Sequence, residues 1–163
     1  MATTPAPVTK ADIKALIDAI ASDPSESRFG HALSAPQWEI LASYLQPMEI
    51  AAGRVLIAQG AEDRTLYFVE SGMLTVHFED GTGKIRLAAV GAGAVIGEGG
   101  FFSRMARSAT VQAGSACRLW TLSPMRFSEL ANRQPTVALS LAMALGAIMA
   151  RRLVSNRKKI AIT

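Results

Sequence analysis

Glu98 stands alone among glycines in the run Ile96-Gly97-Glu98-Gly99-Gly100, and nine residues later Arg107 stands alone in front of Ser108 and Ala109. These residue types suit a particular chemistry. An arginine offers a planar fork matched to two oxygens of an anion, where a lysine offers a point charge. The small Ser108 and Ala109 behind it leave their backbone N–H groups approachable, and Ser108 adds a hydroxyl donor. Gly97, Gly99 and Gly100 let the backbone take conformations closed to other residues and come close to a ligand. A short helical turn over residues 101–103 would add further donors for an anion. Glu98 supplies a carboxylate able to accept a hydrogen bond from a hydroxyl. The spacing also allows a purely structural alternative, in which Glu98 and Arg107 pair with each other at a corner of the fold and the glycines are ordinary turns.

The rest of the chain must position that segment. With 163 residues, half of them hydrophobic and 18% charged, it suits one domain with a substantial core and excludes a disordered charged tail. The net charge of +4 comes largely from Arg151, Arg152, Arg157, Lys158 and Lys159. That run reads as a solvated helix end complementing the dipole, with an acidic partner or nucleic acid as its other use. Cys117 is the only cysteine, so an internal disulfide is ruled out and a reducing, cytoplasmic setting fits; in an alternating segment it reads as a buried, inert thiol. The first ten residues lack the apolar core of a signal peptide. The uncharged run 137–150 is shorter than the ~20 residues a membrane span needs.

Helical periodicity over residues 11–21 places Ile13, Leu16, Ile17 and Ile20 on one stripe. Residues 22–30 read as a loop. A second helix starts after Ser34, which has Pro36 in the first turn and Gln37 three residues on as a capping partner. From Met48 the pattern turns to short β-rich runs at 48–51, 55–58, 65–70, 73–79, 84–89, 109–113 and 118–122, separated by glycine turns. Asp80-Gly81 marks a hairpin. Ser123-Pro124 opens another helix, and Pro135 starts a long one reaching about Lys159, too apolar for a surface helix. The expected fold is mainly β with flanking helices: an eight-stranded jelly-roll barrel, or double-stranded β-helix, over residues 47–122. Helices at 1–46 precede it, and a hinge and lid helix follow at 123–163.

The segment from Gly97-Glu98 to Arg107-Ser108-Ala109-Thr110-Val111 resembles the phosphate-binding cassette of cyclic-nucleotide-binding domains, as in catabolite-activator regulators, kinase regulatory subunits and nucleotide-gated channels. The segment from Gly60 to Leu74 resembles that family's barrel hairpin, and the resemblance runs from Met48 to about Asn156. It implies that Glu98 takes the ribose 2′-hydroxyl of cyclic AMP or cyclic GMP and Arg107 its phosphate. Gly97, Ser108 and Ala109 would supply close contacts. Two positions depart from the family's pattern: Gly99 stands where a bulky apolar residue is usual, and Ala106 where proline is frequent.

The expectation is a cytoplasmic sensor without a cofactor, its ligand a cyclic mononucleotide. Its last helix swings over the base and signals to an effector protein, or pairs with a second copy. A degenerate barrel that binds no nucleotide and serves as an interaction module is the alternative, with Gly99 as the feature favouring it. A DNA-binding role would rest on the basic C-terminus alone, since no second helix-turn-helix pattern follows. An enzyme would need clustered histidines or carboxylates, or a Ser/His/Asp set, and the sequence displays neither. His31 and His77 read as ordinary surface or loop residues.

Overall fold

The computed structural model describes residues 10–162, so the first nine residues, and the side chains of Arg157, Lys158 and Lys159, lie outside what is described. Two helices, α1 (Lys10–Ala21) and α2 (Ala35–Ala42), lead into the strands β1 (Gln46–Ile50), β2 (Val55–Ile57), β3 (Leu66–Ser71), β4 (Leu74–Asp80), β5 (Gly83–Val90) and β6 (Val95–Ile96). A short helix α3 (Glu98–Ser103) interrupts them before β7 (Thr110–Ala113) and β8 (Cys117–Leu122). Two further helices, α4 (Pro124–Arg133) and α5 (Pro135–Ile162), complete the chain.

The strands form two four-stranded antiparallel sheets, ordered β1-β8-β3-β6 and β2-β7-β4-β5, the jelly-roll arrangement expected from the sequence. Two details differ from expectation. The two-residue β6 is too short to leave a periodic signature. Strands β3 and β4, although joined by a tight turn at Gly72, belong to different sheets, so the segment from Gly60 to Leu74 is a crossover and not a hairpin. The hairpin at Asp80 does form, with Asp80 opposite Gly83 and its carboxylate accepting the Thr82 N–H at 2.7 Å.

Two cores explain the residue pattern. Alternate side chains of a strand point to opposite faces. Tyr67 and Val69 of β3 and Leu119 of β8 pack between the sheets with Ile57, Leu74 and Val111. Leu66, Phe68, Trp120 and Leu122 from the same two strands face the helices. Strand β3 is therefore covered on both sides, which is why it reads as a continuous apolar run. His77 of β4 is buried, only 5% exposed, contrary to its reading as a surface residue. Free Cys117 is buried, as expected.

Capping residues fix the helix starts. Ser34 Oγ accepts the Gln37 N–H while the Gln37 side chain accepts the Ser34 N–H, and the same glutamine donates to Ser140 on α5 at 3.0 Å. Ser123 Oγ accepts the Arg126 N–H at the start of α4. A single residue, Gln134, separates α4 from α5. Helix α5 lays Val137, Leu141, Leu145 and Ile148 on the helix-side core, while Leu139, Met143, Leu153 and Val154 stay exposed. By length and composition its Pro135–Asn156 portion is sufficient to cross a membrane. The uncharged run 137–150 understated this because the helix continues past Arg151 and Arg152.

Leu141→Ala should lower the unfolding free energy by about 2–5 kcal/mol, the range for a fully buried leucine. Urea denaturation followed through Trp38 and Trp120, both in the same core, reads this directly. A loss below about 1 kcal/mol would show that this face of α5 does not hold the helix to the sheet.

Candidate functional site

The seven residues singled out from sequence, Gly97, Glu98, Gly99, Gly100, Arg107, Ser108 and Ala109, all line one cavity of about 470 Å³. Its wall is completed by Ile57, Val76 and Val111 from the β2-β7-β4-β5 sheet and by Met149 and Arg152 from α5. A polar end at Glu98 and Arg107 thus meets an apolar wall, the make-up typical of small-ligand sites.

Arg107 sits just ahead of β7 with its side chain only 3% exposed. Its main chain is pinned to the β2–β3 loop: its N–H donates to Ala61 O, and its carbonyl accepts from Gly60 N, both at 2.8 Å. The guanidinium is held as firmly. Nη1 donates to Gly97 O at 2.9 Å, and Nη2 donates to Thr65 O at 2.6 Å and to Asp63 Oδ2 at 2.9 Å. Nε is buried without a hydrogen-bond partner in the protein. Burial opposes ionisation of Asp63. Hydrogen bonds from the Thr65 N–H and hydroxyl, and then the Arg107 guanidinium, outweigh it and hold the carboxyl below its usual range.

Gly97 takes a backbone conformation closed to most residues, as expected, and Gly97 and Gly100 have a further role. A Cβ on Gly97 would lie 2.8 Å from Thr65 O and 2.9 Å from Arg107 Nη1, and the residue has φ +86°. A Cβ on Gly100 would likewise lie 2.9 Å from Nη1. These two glycines make room for the guanidinium itself. Gly99 faces open space, so neither packing nor backbone strain demands a glycine there. Helix α3 begins at Glu98, earlier than the turn expected at 101–103, and ends at Ser103, capped by Arg104 with φ +58°.

Glu98 and Arg107 do not pair with each other. Glu98, its side chain 14% exposed, is bound by Nη1 of Arg152, whose Nη2 donates to Val95 O at 2.7 Å. The C-terminal helix is therefore tied by an ion pair to the carboxylate expected to meet a sugar hydroxyl. A second opening of about 660 Å³ adjoins the first, sharing Val76, Ile96, Glu98, Ser108, Ala109 and Arg152 with it, and runs on to Ser155 and Asn156 of α5.

Sequence reasoning missed Asp63, Thr65 and Arg152. Asp63 and Thr65 carry no local signal, since their partner lies more than 40 residues away. Arg152 was counted in the basic C-terminal run, yet it continues the buried stripe Leu141, Leu145, Ile148 at helical spacing, a sign visible in the sequence. Among the described residues no group of three or more His, Cys, Asp or Glu could hold a metal ion.

The family model described as "Cyclic nucleotide-binding domain" matches residues 47–134, more than half of the chain. Glutaminase 2 of Bradyrhizobium diazoefficiens is 37% identical over 109 residues, covering 67% of this chain and 17% of that protein. The cAMP-activated global transcriptional regulator CRP of Escherichia coli is 33% identical over 127 residues, covering 77% of this chain and 59% of that protein. The chain thus spans between about a sixth and three fifths of these two relatives. A crystal structure of a cyclic nucleotide-binding domain from Methylobacillus flagellatus superposes with a TM-score of 0.82 at 20% identity, covering 96% of this chain and 86% of that one, a likeness of fold. Cassette, barrel and flanking helices lead to one assignment: the chain belongs to the cyclic nucleotide-binding domain family.

Proposed function

We propose that the protein is a sensor of a cyclic mononucleotide, cyclic AMP or cyclic GMP, and that α5 passes the signal on. The observation that carries this reading is the buried, fully oriented Arg107 beside Glu98 at the polar end of one cavity. The phosphate would sit against Arg107, the Ser108 hydroxyl and the Ala109 N–H, with the unpartnered Nε as a donor in waiting. The ribose 2′-hydroxyl would donate to Glu98, and the base would lie on the apolar wall towards Met149. A cyclic nucleotide supplies both requirements, a single negative charge and a free hydroxyl. The name of the Escherichia coli relative, cAMP-activated, supports the choice of ligand class. The role in this reading is binding, for which the cavity groups Glu98, Arg107 and Ser108 offer hydrogen-bond donors and acceptors.

The signal would travel through the Glu98–Arg152 pair. A ligand competing for or bridging that carboxylate contacts α5 differently in its two positions, which is the differential interaction a population shift requires. Residues 1–46 would then act as a helical extension, 47–122 as the binding core and 123–163 as hinge and reader.

A second copy of the chain is the partner that the exposed face of α5 suits. Leu139, Met143, Gly146, Ala150 and Leu153 recur at alternating spacings of four and three, the seam of a coiled coil. Leu139 and Met143 are 63% and 68% exposed. The flanking positions Ala142, Ala147 and Met149 are uncharged, so two identical seams meet without repulsion.

Arg107→Lys keeps the charge but loses the fork, and should weaken nucleotide binding at least tenfold, about 1.4 kcal/mol or more, in a fluorescent-nucleotide displacement assay. With the wild-type protein, the 2′-deoxy nucleotide should bind about ten- to a hundredfold more weakly, the worth of one hydrogen bond to a carboxylate. Equal affinities would overturn the roles of Arg107 and Glu98, and failure of the wild type to bind either nucleotide would favour the interaction-module alternative. For the seam, sedimentation of the Leu139→Lys/Met143→Lys protein should show monomer where the wild type shows dimer; a monomeric wild type would reject self-pairing.

A further inference from the structure

Two charged neighbours on the β2–β3 loop, Asp63 and Arg64, bond to Arg107 and to α3 respectively without lining the cavity. We propose that they are positioning residues for that site: Asp63 orients the Arg107 guanidinium, and Arg64 holds α3, the helix against which the guanidinium lies. This rests on the cyclic-nucleotide reading above and adds the part of the chain that sets the orientation of the phosphate.

The geometry of each half is specific. Asp63 Oδ2 accepts from Arg107 Nη2 at 2.9 Å, and its other oxygen accepts the Thr65 N–H at 2.9 Å, so the carboxylate is itself fixed before it fixes the arginine. Arg64 Nη2 donates to Phe101 O at 2.8 Å and its Nε donates to Gly100 O at 3.4 Å. Those carbonyls lie in the last turn of α3, where a helix cannot satisfy its own acceptors. The helix needs the support. It has six residues, two of them glycine, and each glycine weakens a helix by about 1 kcal/mol. Gly100 cannot be exchanged for a better helix former without crowding Arg107 Nη1, so an outside donor does the work that helix propensity cannot. Opposite charges side by side thus serve opposite needs: an anion for the guanidinium, a cation for the carbonyl end of α3.

With Nη2 spent on Asp63 and Thr65 and one Nη1 hydrogen on Gly97, the guanidinium keeps its Nε–H and one Nη1–H for an anion, donors of fixed direction that would distinguish the two exocyclic oxygens of a cyclic phosphate. The Rp and Sp phosphorothioates of cyclic AMP and of cyclic GMP test this, because each replaces one of those oxygens by sulfur, a poorer acceptor. The wild-type protein should prefer one isomer by about tenfold or more. Asp63→Asn, of equal volume, should shrink that preference to about threefold or less, and Asp63→Glu should restore part of it. Arg64→Met should weaken both isomers about tenfold with their ratio kept, and Arg64→Lys, which retains a donor, should recover most of the loss. A wild type indifferent to the isomers, or an unchanged ratio in Asp63→Asn, overturns the role of Asp63; unchanged affinity in Arg64→Met overturns that of Arg64. Failure of the wild type to bind either parent nucleotide overturns the sensor reading and this proposal with it.

Discussion

A guanidinium with 3% of its side chain exposed must find partners for its charge and its N–H groups, or the fold does not form around it. Much of the cassette follows from that need. Gly97 and Gly100 lack side chains because Arg107 occupies the space their Cβ atoms would take. Thr65 and Gly97 turn their carbonyls to it, and Asp63 supplies the opposing charge. The proposed anion site and the corner joining the two sheets are consequently one construction. Removing the arginine would strand two carbonyls and a carboxylate, so its side chain serves the fold as well as the proposed phosphate contact.

The second constraint acts on α5. One face is needed by the core at Val137, Leu141, Leu145 and Ile148, and that stripe runs on into Arg152. A cation at the end of an apolar stripe finds a carboxylate, Glu98, and a carbonyl, Val95 O, both beside the cavity. The helix is thereby anchored to the barrel by packing over its first half and by charge beside the cavity. Packing is indifferent to a ligand that does not touch it, whereas the ion pair lies where a ligand hydroxyl would arrive. The coupling proposed between site and helix rests on that difference.

The parts legible in the sequence were those whose signals are local. Ser34 with Gln37, and Ser123 with Pro124, announce their helices because capping partners lie within three residues. Strand β3 was visible as an apolar run, and Gly97 to Ala109 as a cluster of chemistry-bearing types. Signals were lost where the partner is distant in sequence. Asp63 meets Arg107 across 44 residues, and Arg152 meets Glu98 across 54. Strand β6 was too short to show a period, and the crossover of β3 to β4 looks locally like a hairpin because only the neighbouring strands decide which sheet each joins. His77 was misread for a related reason, its burial being set by the sheet around it.

Binding itself is the central claim, and calorimetric titration of the nucleotide-stripped protein with cyclic AMP and cyclic GMP measures it without a substitution or a label. Saturable binding of one of them at one site per chain, with a Kd of about 1 μM or tighter, is the predicted result. Absence of heat and of competition from both nucleotides would contradict the account, and would leave the buried Arg107 as a structural fixture of the barrel corner.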